Sequence, residues 1–165
     1  MIEKYKFRKY DEEYPKLFIR EKTKLKKILG KDVFIEHVGS TAVPELGGKG
    51  ILDIMISDNK GRILKIKKKL EKAKYIFKES GGGKDRLFFK KEYKHHGKIR
   101  MVHLQLTHYN SDEFKHMIEF KNRLIDNKGL AKEYSKVKKE AVKYAKGEGK
   151  IYRKHKEKFI NENEK

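Results

Sequence analysis

The stretch Ile35-Glu36-His37-Val38-Gly39-Ser40-Thr41-Ala42-Val43-Pro44, followed by Lys49-Gly50-Ile51-Leu52-Asp53-Ile54-Met55-Ile56, sets a glycine and two hydroxyls at a turn and a carboxylate on the next segment. Those residue types suit a phosphate. Glycine lets the backbone approach a ligand closely, and the Ser40 and Thr41 hydroxyls with neighbouring N–H groups can bond phosphate oxygens. Asp53 could then hold a Mg²⁺ bridging those oxygens, since magnesium sites beside phosphates use one or two carboxylates plus water, or it could act as a base. Further along, Lys49, Arg86, His103 and Gln105 are candidates for contacting substrate or neutralising developing charge. Each has a plainer alternative: Asp53 pairing within a sheet, Gly39 serving only a turn, His103 hydrogen-bonding inside a strand.

Apolar periodicity supplies the elements that must position these groups. Tyr10, Tyr14, Leu17, Phe18, Leu25, Ile28 and Leu29 fall on one stripe of a helix over 10–29, which Gly30 ends. Strands are predicted at 33–38 and 51–56, flanking a polar loop with Pro44 and three glycines. Ser57 or Asp58 can cap a helix with Ile63, Ile66, Leu70 and Ala73 inward and lysines outward. Residues 75–78 read as a short strand, 81–83 as a glycine break, and 86–90 as a strand joined through 92–98 to another at 99–107. Asn110 or Ser111 caps a helix carrying Phe114, Met117, Ile118, Leu124 and Ile125, stopped by Asn127-Lys128-Gly129. A second helix carries Leu130, Tyr134, Val137, Ala141 and Tyr144, and a short last one Ile151, Tyr152, His155 and Phe159. The chain contains no repeat and no linker, so one domain over 1–165 is expected.

Here the residues resemble a known family. A Gly-Ser turn followed by a strand with Asp is similar to the signature of the nucleotidyltransferase fold. The run from His37 to Pro44, with Lys49 and Ile51-Leu52-Asp53-Ile54, resembles the GrpB-like family within it. His103-Leu104-Gln105 resembles that family's His-hydrophobic-His stretch. Residues 120–124 resemble its Phe-Arg-Asp-Tyr-Leu-Arg segment, and Glu133-Tyr134 to Lys138 its Glu-Tyr and Leu-Lys helix. The resemblance implies an α+β fold: a small mixed β-sheet flanked by helices, drawn on one side of it, with a helical C-terminal part. It also implies a nucleotide cleft opened by the Gly-Ser turn and metal-bound carboxylates on the central strands.

Two departures bear on the chemistry. Two-metal nucleotidyl transfer uses several carboxylates around ions about 4 Å apart. Strand alternation puts Met55 on the face of Asp53, where the second carboxylate would stand, and a thioether is a poor ligand for hard Mg²⁺. The strand around His103 shows Met101, His103, Gln105 and Thr107 on one face, none of them a carboxylate. Glu36 or Asp58 would have to fill the gap. Two functions follow: a nucleotide-binding protein transferring a nucleotidyl group to an acceptor, or a non-catalytic nucleotide- or RNA-binding module with a degenerate metal site.

The sequence has 165 residues, 41% charged, with 44 Lys and Arg against 24 Asp and Glu and a net charge of +20. Only Arg8, Arg20, Arg62, Arg86, Arg100, Arg123 and Arg153 are arginines, so the surplus is lysine, which serves a solvated surface or a polyanion-binding one. The absence of cysteine excludes disulfides and thiolate metal sites. Residues 1–6 carry no apolar signal core and no segment approaches a membrane span, so cytoplasm without membrane partners is the expectation. His95-His96 reads as a solvated turn, and Gly81-Gly82-Gly83-Lys84 as a mobile loop bordering the cleft.

Overall fold

The computed structural model describes residues 6–163; residues 1–5 of the leading segment lie outside them. Five strands form one sheet: β1 (Phe34–Val38), β2 (Leu52–Asp58), β3 (Ile76–Phe77), β4 (Arg86–His95) and β5 (Lys98–His108). Their order is β1-β2-β5-β4-β3. All neighbours run antiparallel except β2 and β5, which are parallel and in register from Leu52↔Val102 to Asp58↔His108. The helices are α1 (Tyr14–Leu29), α2 (Ile63–Lys72), α3 (Asp112–Asp126), α4 (Lys128–Ala145) and α5 (Gly149–Asn163).

Alternation along the strands sorts two faces. Ile35, Leu52, Ile54, Ile56, Val102, Leu104, Leu106 and Phe89 make the main core with Leu17, Leu25 and Leu29 of α1 and Ile66 and Leu70 of α2. α1 begins with Pro15 in its first turn and ends at Gly30, with Lys26 and Lys27 in its last turn, where cations suit the helix dipole. On the opposite face α3 lies across the sheet: Phe114 meets Phe34 at 5.5 Å, and Lys121 pairs with Glu36 at 2.9 Å. A second cluster of Val43, Leu46, Leu124, Tyr134 and Phe159 ties the loop after the Gly-Ser turn to α3, α4 and α5. Helices therefore cover both faces, not one. The face that carries Asp53 therefore lies under helices and not on an open surface.

Two local expectations change. Ser57 and Asp58 cap nothing, because β5 runs on to His108 and keeps β2 paired through Asp58. α2 instead follows a 3₁₀ turn at Lys60–Arg62 and has no side-chain cap. The 92–98 connection is mostly strand, because β4 and β5 turn at His96-Gly97, with φ of 48° and 74°. Positive φ at both positions matches the twist of a two-residue hairpin. Ser111 does cap α3, accepting from the Phe114 N–H at 3.0 Å, and Asn127 caps α4 in the same way from Leu130.

Candidate functional site

Val38 pairs with Asp53 where β1 ends, so the following turn folds back on the carboxylate. Gly39 has φ 70° and ψ −170°, and a Cβ there would stand 3.0 Å from both Asp53 Cβ and Oδ2. That conformation belongs almost exclusively to glycine, and the contact leaves no room for a side chain. Ser40 then opens a 3₁₀ turn through Ala42. The loop returns at Gly47-Gly48, where a Cβ on Gly48 would meet Ser40 Oγ at 2.7 Å and Lys138 Nζ at 2.9 Å. Hydroxyl and ammonium thus flank the same bare glycine.

On the sheet, the register aligns Val38, Asp53, His103 and Lys90 in one row and Glu36, Met55, Gln105 and Phe88 in the next. Gln105 donates Nε2–H to Asp53 Oδ1 at 3.1 Å and accepts from Arg86 Nη1. Arg86 Nε reaches Glu113 Oε1 on α3 at 3.4 Å. Glu113, Arg86, Gln105 and Asp53 therefore form one relay that fixes the Asp53 carboxylate. Burial raises the Asp53 pKa, while the Gln105 bond and the charges of Lys156, Arg86 and Lys49 pull it back.

The cations come from three separate segments. Lys49 lies 4.4 Å from the Tyr152 ring centre, Lys156 5.6 Å from the same ring, and Lys138 4.7 Å from the Tyr134 ring. Lys138 is only 2% exposed and donates to the Gly47 carbonyl. Burial, with Lys156 and Lys49 adding repulsion, holds its pKa well below the ordinary lysine value. Lys156 did not stand out in the sequence, and Lys138 only closed the stretch that resembles the family's Glu-Tyr and Leu-Lys helix. The available signal was a lysine four residues after a core tyrosine, Tyr134 to Lys138 and Tyr152 to Lys156, which puts each pair on one helix face.

The other candidates divide. Thr41 is turned away: it is buried, and its Oγ1 lies 2.8 Å from His37 Nε2 on the α1 side, where His37 stacks on Phe18 at 4.8 Å. His103 stands beside Asp53, with its ring edge-on to Phe88 at 4.7 Å. Burial, then Lys49, Lys90 and Lys156, lowers its pKa to about 3, so near neutral pH the imidazole carries no charge. Gln105 and Arg86 spend hydrogen bonds on the relay, and Arg86 Nη1 also donates to the Gly81 carbonyl at 3.3 Å.

A pair of magnesium ions finds a poor donor set. Met55, fully buried, fills the second position on β2. Glu36 stands next to it and is paired with Lys121, while Asp58 points to the other face and pairs with Arg62 at 3.0 Å. Among the described residues no three His, Asp or Glu side chains gather as a metal group. Asp53 is one carboxylate in the field of three cations, which repels a dication.

A family model described as GrpB protein matches residues 4–165, nearly the whole chain. The chain belongs to the GrpB family. It is 30% identical over 140 residues to UPF0157 protein BH1888 of Halalkalibacterium halodurans, covering 82% of this chain and 68% of that protein. It is 26% identical over 133 residues to UPF0157 protein YqkA of Bacillus subtilis, of which it spans 38%. The crystal structure of conserved protein GrpB from Enterococcus faecalis superposes with a TM-score of 0.75 at 23% identity, over 95% of this chain and 98% of that one. That likeness shows the fold. Among the described residues no helix is long and apolar enough to cross a membrane.

Proposed function

We propose that the cleft between the Gly39-Ser40 turn and α4–α5 binds the phosphates of a nucleotide, as a binding module without two-metal transfer chemistry. The observation that carries the reading is the exchange of ligands around Asp53: Met55 stands where a second carboxylate would be, and Lys49, Lys156 and Arg86 act on the one that remains. Phosphate binding needs fixed donors and positive charge, and the Ser40 hydroxyl, the turn and these cations supply both. Nucleotidyl transfer through two metals needs further carboxylates that this face lacks, so binding without turnover is expected.

A panel of nucleoside mono-, di- and triphosphates is screened by thermal shift, once in chelator and once with excess Mg²⁺. Saturating a site at 100 times Kd stabilises by about 2.7 kcal/mol, which a melting curve resolves easily. The expected result is stabilisation by some member of the panel in both conditions. Stabilisation by none, or only with Mg²⁺, contradicts the proposal.

A further inference from the structure

Lys138 is an expensive residue for the fold to keep. It sits on the buried stripe of α4 with Tyr134, Ala141 and Ala145, where an apolar side chain would pack at no electrostatic cost. Its ammonium donates to the Gly47 carbonyl and carries three donors in all. The groups facing it are the Tyr134 ring on its own helix, Ser40 across Gly48, Lys49 from the loop before β2, and Lys156 on α5. Both charged neighbours that act on it are cations. A buried ammonium among cations, beside a hydroxyl at a glycine turn, is a site arranged for an anion from outside.

We infer that Lys138, with Lys49 and Lys156, forms a cradle that takes the place of metal ions and selects a ligand carrying a polyphosphate chain over one carrying a single phosphate. This rests on the reading of the same cleft given above. The three lysines reach the site from separate segments, the loop before β2, α4 and α5, so successive phosphates of a chain can engage them where a single phosphate cannot reach all three. Arg86 adds to the field at Asp53 but is no part of the cradle, because Glu113 and Gln105 already hold it. Lysines are suited to this work as point charges that swing onto successive phosphates.

The test titrates inorganic tripolyphosphate, ATP, GTP, AMP and GMP into the full chain by calorimetry, in chelator. Wild type is compared with Lys138→Met and Lys156→Met. The expected result is tight binding of tripolyphosphate and of a nucleoside triphosphate, and at least ten-fold weaker binding of the monophosphates. Lys138→Met should melt no lower than wild type and bind tripolyphosphate roughly ten- to hundred-fold more weakly, as loss of a charged hydrogen bond implies. If Lys138→Met binds tripolyphosphate like wild type, the cradle is wrong while nucleotide binding stands. If tripolyphosphate binds through Lys138 and no nucleotide does, the cradle stands and the nucleotide reading falls. Should Lys138→Met fail to fold, Lys156→Met decides: unchanged tripolyphosphate affinity overturns the inference and weakened affinity supports it.

Discussion

Replacing Gly39 by alanine separates two reasons for a glycine at this turn, because Gly30 offers a matched control. Both residues occupy nearly the same glycine-only region, Gly39 at φ 70° and ψ −170° and Gly30 at φ 105° and ψ 155°. An alanine at either site carries backbone strain of about 1–3 kcal/mol. At Gly30 the new methyl meets nothing within 4 Å, so strain is the whole effect. At Gly39 it lands 3.0 Å from Asp53 Cβ and Oδ2, and the carboxylate must shift away from the Gln105 amide that holds it at 3.1 Å. Losing a hydrogen bond to a charged group adds about 1.5–3 kcal/mol. Gly39→Ala should therefore cost about 2 kcal/mol more than Gly30→Ala, a gap of roughly 4–8 °C in Tm for a chain of this size. Thermal and urea melts of the two variants measure it. Equal losses, or a larger loss at Gly30, would refute the close approach of turn to carboxylate.

Other perturbations test neighbouring parts of the site. Met55→Asp sets two carboxylates on one face of β2; it should lose roughly 2–4 kcal/mol without metal, from burying a charge, and gain a Mg²⁺-dependent rise in Tm that wild type lacks. His37 is buried and its pKa falls from 6.5 to about 4, chiefly through burial and secondarily through Lys121. Below pH 6.5 the unfolded chain takes up a proton that the folded ring refuses. Its contribution is therefore complete above pH 6.5 and is lost as the pH falls toward 4, amounting to roughly 3 kcal/mol. Urea midpoints across that window should fall less steeply in His37→Gln, which keeps a partner for Thr41; parallel slopes would show that another group carries the effect.

The sheet and the centre of the site were legible because strand alternation is local. The pattern at 51–56 and 99–107 already put Asp53 and Met55 on one face and His103 and Gln105 on another strand's matching face, as the register shows. The cap at Ser57 or Asp58 misread a polar pair as a strand end, because the pairing that prolongs β2 comes from β5, about 50 residues on in sequence. Thr41 looked like a phosphate ligand because a hydroxyl at a turn has no visible direction; the 3₁₀ turn after Gly39 rotates it onto His37. The roles of Lys138 and Lys156 were hidden for a different reason. A lysine on a helix is ordinarily solvated, and only the packing of α4 and α5 on the 43–46 loop brings these two to the turn.

The most direct test is calorimetric titration of wild type and Asp53→Asn with the best-stabilising nucleoside triphosphate, in chelator and in excess Mg²⁺. With lysines and the Ser40 turn holding the phosphates, affinity should be similar in both conditions, should fall steeply with added salt, and should survive Asp53→Asn. Binding that appears only with Mg²⁺ and vanishes in Asp53→Asn would contradict that, and would assign the cleft to a metal that Asp53 holds.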